Sequence, residues 1–424
     1  MRKLQEKGLI RVADALYVIR HIPGDDAPTM RTKAITRLLQ SNGYSVDLLT
    51  TSWTTNAHPL EEKGFNDVSF FQPLKGLRKT KKVIEMLSSS YSAKALIQYC
   101  EKFSPKMIVF YGGSANLVKQ TLEYAAKNNI ATLVDETDWF RAKDAAGLYS
   151  KIYYYFDNKR IAKIDETLSG QIAISPFFYS YFCSKGCDPF FLPAVFENTE
   201  SMKSITPFAS QDSVNIVYVG SLGDGKDSIV PFIRAVMHHN LRCSKKKVVF
   251  TIVGASEEES EFITRIAEES YESEHIRVLE RMLHEEALEI IKSADFSILF
   301  RREDLYARAG FSTKLAESMC CATPVICNRV GGADSVIDSW VDGIILEEIT
   351  DRTLREALER IELMSVDELR SMQRKASRKA SKVFDLSNYV QDFGIYLNKL
   401  NGTERKDFHC LEQSCGSSGL KRQN

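Results

Sequence analysis

The chain has 424 residues, 44% of them apolar and 26% charged, with Lys+Arg and Asp+Glu balanced at 56 each. That length suffices for two domains of ordinary size, and the composition is that of a soluble globular protein, so bulk charge points to neither nucleic acid nor membrane. No apolar run approaches the roughly 18–20 residues that cross a bilayer, the N-terminus lacks the apolar core of a signal peptide, and nine cysteines without a CxxC pair make the cytosol the expected compartment.

In chain order, a strand is predicted at Ala15–Ile19, followed by Gly24, whose missing side chain allows close backbone approach, and by a helix over Thr29–Asn42. Arg31 on that helix is a candidate contact for a phosphate or an acceptor. A strand at Ser45–Leu49 comes next. Lys75, Arg78, Lys79, Lys81 and Lys82 then form a run without one acid. Its bland reading is a solvated helix face, and its sharper one a docking patch for an anionic membrane or a pyrophosphate-linked lipid. Strand Met107–Phe110, helix Asn116–Asn128, and strands Ala131–Val134 and Gln171–Ile174 complete the first half. Strands separated by helices imply βαβ units and a parallel sheet. Asp135, Glu136 and Asp138, just past one strand, are candidates for an acid–base role, with capping of the next helix as the structural alternative.

The pattern lapses between Phe196 and Asp212, the expected interdomain linker. It restarts with strand Val214–Val219 and a loop holding Gly220, Ser221, Gly223, Gly225 and Lys226 before the helix Ser228–His239. Strand, glycine-rich loop and helix can bring backbone N–H groups against a diphosphate, and Lys226 either neutralises it or lies on the surface. Strands at Val248–Val253, Ile276–Leu279, Phe296–Phe300 and Gly343–Leu346 alternate with helices, two of them opened by capping boxes at Ser256 and Ser365. Arg281 either meets a phosphate or pairs with Glu285 or Glu286. Arg301 and Arg302 follow a strand, and because neighbours on an extended backbone point opposite ways, at most one faces a ligand.

The segment RAGFSTKLAESMCCATPVI, residues 308–326, reads as a loop, a helix from Thr313 to Met319 with Ser312 as N-cap, and a buried strand. A helix N-terminus with Lys314 beside it suits a phosphate, and Glu317, three residues on, shares its face.

This segment resembles the donor site of the family 4 glycosyltransferases, most nearly their branch that builds bacterial surface polysaccharides. The resemblance implies an α/β chain of GT-B fold: two Rossmann-like domains with a cleft between them and a C-terminal helix crossing back. On that reading residues 1–196 form the acceptor-side domain, 197–212 the linker, 213–383 the nucleotide-sugar domain, 384–400 the crossover helix and 401–424 a disordered tail.

It further implies a retaining, hexosyltransferase-like enzyme moving a sugar from a nucleoside diphosphate to an acceptor hydroxyl, without cofactor or metal. Lys226, Lys314, Glu317 and Asp135 take the catalytic roles. Gly220, Ser221, Arg281, Met282, Arg302, Gly310, Phe311, Ser312 and Thr313 hold the donor, and Gly24 and Arg31 serve the acceptor side. The family commonly pairs Glu317 with a second Glu, but Ala309 stands at that position. The expected partners are a nucleotide sugar and a glycan or lipid-linked acceptor, with peripheral membrane contact through the Lys75–Lys82 run and no nucleic acid. A nucleotide-sugar epimerase on the same fold and a non-catalytic sugar-nucleotide binder are the rivals.

Overall fold

The computed structural model describes residues 13–54, 60, 64–203, 213–220, 222, 227–242, 245–268 and 273–402, with main chain only at 401 and 402. The expected site residues Lys226 and Ser221, most of the linker and nearly all of the expected tail lie outside the described residues.

Two parallel sheets organise the chain. The first holds β1 (Ala15–Ile19), β2 (Val46–Thr50), β3 (Ser69–Phe71), β4 (Met107–Tyr111), β5 (Ala131–Glu136), β6 (Gly170–Ala173) and β7 (Phe190–Phe191), in the order β3-β2-β1-β4-β5-β6-β7. The second holds β8 (Ser213–Val219), β9 (Lys247–Val253), β10 (Ile276–Leu279), β11 (Phe296–Leu299), β12 (Val325–Asn328) and β13 (Ile344–Leu346), in the order β10-β9-β8-β11-β12-β13. Helices cover both faces of each sheet, so β1, β4, β11 and β12 are buried along their whole length, and their sequences are correspondingly almost continuously apolar.

Each sheet reverses its strand order once, β1 pairing with both β2 and β4, and β8 with both β9 and β11. Connections leave in opposite directions at such a switch point, opening a crevice beyond the carboxyl ends of the strands. Arg20 follows β1, Gly220 follows β8 and Arg301 lies just past β11, so three residues of interest sit at the two switch points.

Helix α1 (Ala27–Ser41) starts where Asp26 accepts the N–H of Thr29 at 3.0 Å and Pro28 stands in the first turn. Its inner face packs on β1 and carries Arg31 into the interior. The remaining helices of the first domain are α2 (Lys79–Ser88), α3 (Ser90–Phe103), α4 (Ala115–Lys127), α5 (Gly147–Lys163) and α6 (Pro176–Ser184).

The expected linker begins as structure. Phe196 N–H donates to Phe384 O at 2.8 Å, Leu386 N–H returns to Phe196 O at 3.0 Å, and Asp385 accepts from Thr199 Oγ1 at 2.7 Å. Main-chain groups leaving the first domain thus find partners on the chain that comes back to it. The return is α14 (Val390–Gly402), whose Tyr396 hydroxyl accepts the N–H of Gln171 at 2.8 Å and donates to its carbonyl at 3.1 Å. Phe393 and Tyr396 stack around Phe190 of the edge strand β7. The C-terminal helix therefore crosses back onto the first domain, and the architecture is α/β with two Rossmann-like domains.

Candidate active site

The domains meet along one continuous apolar core. Leu299, Ala309, Phe311, Leu315 and Met319 of the second belong to the same buried cluster as Phe178, Phe182 and Ala194 of the first. The Ser175 hydroxyl donates to Ala309 O at 2.5 Å, and Phe140 meets Tyr306 edge-on with centroids 5.5 Å apart. Above this floor opens a cleft of about 680 Å³ with walls from both domains. The second domain contributes Arg301, Tyr306, Gly310, Phe311 and Thr313, and the first contributes Arg20, Arg31, Tyr111, Asp138 and Tyr154.

The donor-side wall is built by α10 (Leu305–Ala309), the turn at Gly310–Ser312 and α11 (Thr313–Cys320). Ser312 has the extended backbone of an N-cap, but its hydroxyl makes no capping bond and is buried without a partner. The first-turn N–H groups of α11 thus receive no side-chain cap from Ser312. Gly331, with φ +59, follows β12, and a side chain there would sit 3.7 Å from Ser312 N and 3.8 Å from an Arg301 nitrogen.

Lys314 reaches back under this N-terminus. Its Nζ donates to Tyr218 Oη at 2.8 Å and pairs with Asp227, whose other oxygen accepts from Arg301 Nε at 3.1 Å. Tyr218 closes the set by donating to Asp227 at 2.8 Å. Burial pulls the Lys314 ammonium below the ordinary lysine value, and Asp227 opposes that pull. Burial pushes the Asp227 carboxyl up, but Lys314 and Arg301 more than offset it and hold it below the ordinary carboxylate value. Gly220 lies against Lys314 so closely that any Cβ would run into Cε and Nζ, and its φ of +140 also suits glycine alone. Asp227 escaped the sequence reading, although it directly follows Lys226; nothing local announces a partner 87 residues away.

Glu317, one turn along α11, accepts from His284 Nε2 at 2.9 Å, and only 13% of its side chain is exposed. That hydrogen bond raises His284 above the ordinary histidine value, against burial. His284 opens α9 (His284–Ser293), so the β10–α9 turn and α11 are tied together at this edge. Arg281 in the same turn is exposed, while Met282 packs beside Val217 and Val253 in a small apolar cluster.

Of the two adjacent arginines, Arg301 lines the cleft and Arg302, the one expected there, is exposed, as the alternation of an extended backbone demands. Gly310, Phe311 and Thr313 line the cleft as a group.

The acceptor side departs further from expectation. Asp135 is wholly buried, with both oxygens taken: Arg31 Nη2 donates to Oδ1 at 2.7 Å and the Tyr17 hydroxyl to Oδ2 at 2.8 Å. Arg31 spends its remaining nitrogen on Leu192 O and Pro193 O, both at 2.7 Å. Asp135 points into the face of the sheet covered by α1, and the pair fastens α1 to β5, which leaves Asp135 no free oxygen for chemistry, while Arg31 also borders the cleft.

Glu136 points the opposite way and joins Asp157 and Asp165 around the buried Arg160. Of the three expected acids, the one that lines the cleft is Asp138, where Arg20 stands 3.7 Å away. Gly24 donates its N–H to Thr29 Oγ1 at 2.8 Å and shapes the loop into α1. Among the described residues no cluster of three His, Cys, Asp or Glu side chains could hold a metal ion.

Comparison with known proteins bears on the fold that holds this cleft. Residues 206–380 match the family described as glycosyl transferases, group 1. Sucrose-phosphate synthase from Thermosynechococcus elongatus superposes with a TM-score of 0.68 at 17% identity, over 91% of this chain and 99% of that one. HepE from Anabaena, solved with UDP-glucose, gives 0.65 at 12% identity, over 91% and 100%. An uncharacterized glycosyltransferase of Methanocaldococcus jannaschii is 28% identical over 116 residues, 27% of this chain and 31% of its own length, so the chain spans under a third of that curated relative.

The fold is the GT-B architecture of glycosyltransferases. Within it, the second domain carries the stretch that matches the group 1 glycosyl transferase family model.

Proposed function

We propose that this protein is a glycosyltransferase that moves a sugar from a nucleoside diphosphate to an acceptor hydroxyl held in the interdomain cleft. One observation carries the reading: Lys314, Arg301 and the N-terminus of α11 converge beside the cleft at the second domain's switch point. Breaking the bond to the sugar C1 leaves negative charge on the departing diphosphate, and preorganised cations and N–H groups in a shielded cleft stabilise it. Asp227 opposes the pull of burial on the Lys314 ammonium and holds both basic side chains in position; the diphosphate then shares or displaces that carboxylate. Lys226, immediately before Asp227 in sequence, adds a further amine in this reading. Glu317 takes up sugar or ribose hydroxyls, with His284 setting its position.

Asp138 and Arg20 on the opposite wall face the acceptor. In line with the resemblance, transfer proceeds with retention, draws its charge stabilisation from these cations with no metal role assigned, and serves cell-surface polysaccharide assembly on the cytoplasmic side. The acceptor is a glycan, free or lipid-linked, and the Lys75–Lys82 run contacts the membrane. HepE's structure with UDP-glucose supports a nucleotide sugar as donor.

The test is incubation with radiolabelled UDP-, GDP- and dTDP-sugars, with and without a panel of glycan and lipid-linked acceptors. Label moving to an acceptor with release of nucleoside diphosphate is the expected result. Donor binding without transfer, or interconversion of the sugar in the absence of acceptor, would overturn it.

A further inference from the structure

Two neighbouring helices of the first domain turn basic and apolar faces outward together. On α2, Val83, Ile84 and Leu87 are 54%, 49% and 48% exposed. At 3.6 residues per turn they share one face, with the exposed Lys79 and Lys81 at its two margins and Lys75 and Arg78 just before the helix. The one acid in α2, Glu85, faces inward, accepting the N–H of Tyr91 at 2.8 Å and capping α3.

Helix α5 repeats the pattern. Leu148 and Tyr155 are 75% and 59% exposed, Lys151 and Lys159 are exposed along the same side, and the helix's one acid, Asp157, is buried against Arg160. The two helices pack against each other, and Trp53 bridges them, with Lys82 Nζ 5.5 Å over its ring and Tyr149 edge-on to it at 5.8 Å.

Exposed apolar residues scattered singly need no explanation, whereas a contiguous patch rimmed by lysines marks an interaction surface. Long lysine side chains can extend their amines to a headgroup layer while neighbouring apolar groups enter the acyl boundary, as in helices that lie in a membrane interface. Both acids are withdrawn, so the surface charge of the patch is of one sign and complements an anionic lipid leaflet. Its place in the fold adds purpose: the other side of α5, at Ser150 and Tyr154, lines the cleft.

We infer that the outward faces of α2 and α5 form one docking surface for an anionic bilayer, with Val83, Ile84, Leu87 and Leu148 at the acyl boundary and the lysines among headgroups. This deepens the membrane contact proposed above, and rests on that reading only for its purpose: docking would bring the acceptor side of the cleft to the lipid surface.

Flotation with vesicles of phosphatidylcholine alone, or mixed with phosphatidylglycerol, tests it. The full chain is expected to bind the anionic vesicles at least tenfold more tightly, and to be released by high salt. Lys79→Glu/Lys81→Glu/Lys151→Glu and, separately, Ile84→Ser/Leu87→Ser/Leu148→Ser should each lose at least tenfold in binding. Both should keep the wild-type melting temperature and the wild-type thermal shift with UDP or its GDP and dTDP counterparts. Equal binding to both vesicle types, undiminished binding by both variants, or a dimer in sedimentation that the apolar variant dissociates would overturn the inference. Vesicle binding without any sugar transfer would count against the transferase reading alone.

Discussion

Asp227 and Lys314 lie 87 residues apart in sequence, yet form one ion pair where β8 and β11 end, with the Tyr218 hydroxyl bonded to both. Asp227 is a single anion shared between Lys314 and Arg301, so on the proposed reading an arriving diphosphate competes with it for both cations. Asp227→Asn removes the internal anion and leaves Lys314 and Arg301 under-compensated. Breaking one side of a buried pair costs about 3–5 kcal/mol, less here because Lys314 is partly exposed. The variant should melt earlier than wild type, and saturating nucleoside diphosphate should raise its melting temperature by more than it raises the wild type's. An equal or smaller rise would show that the ligand does not meet these cations.

Gly220→Ala tests the same wall from the strand side. A methyl group there collides with the Lys314 side chain, and the φ of +140 strains any residue with a Cβ. Nucleoside diphosphate binding should weaken at least tenfold while far-UV circular dichroism stays unchanged; calorimetric titration reads the difference.

Arg31 and Asp135 are expected to behave as a structural pair. Arg31→Met and Asp135→Asn should each lower stability by about 3–5 kcal/mol in urea unfolding, since each leaves a buried partner uncompensated. Nucleoside diphosphate affinity of the folded protein should stay within a factor of two. Loss of transfer activity without loss of stability in Asp135→Asn would return that carboxylate to the chemistry.

His284 and Glu317 give a pH signature. The hydrogen bond raises His284 above its ordinary 6.5, so the folded state holds the proton more tightly than the unfolded one. The stability this contributes is present below pH 6.5 and is lost as pH rises through the raised value. Following the His284 ring protons by NMR should give a midpoint above 6.5 in the wild type and a lower one in Glu317→Gln. A midpoint unmoved by the substitution would dissolve the pair.

How far the residues alone carried the reading depends on where each signal lives. Strand β10 falls at its expected bounds and helix α13 (Val366–Val383) begins at the expected Ser365 cap, because alternation and capping boxes are local. Helix α5 went unread because GLYSKIYYYFDNKR has no apolar stripe: one side lines a cleft and another shows aromatics and lysines to solvent. Edge strands β3 and β7, of three and two residues, are too short to show a period.

At the site, Lys314 and Glu317 were legible because one helix turn presents both. Asp227 and the burial of Asp135 were not, since each depends on partners 87 to 118 residues away. Ser312 has the right residue type and backbone for a cap, yet its hydroxyl does not close on the helix.

The account's central claim, that these cations receive a diphosphate, is tested most directly by calorimetric titration of UDP, GDP and dTDP into wild type and Lys314→Ala, with the bare nucleosides as controls. At least one diphosphate should bind saturably, its nucleoside far more weakly, and Lys314→Ala should lose at least tenfold in affinity, about 1.4 kcal/mol. Binding that is indifferent to the phosphates, or undiminished in Lys314→Ala, would contradict it.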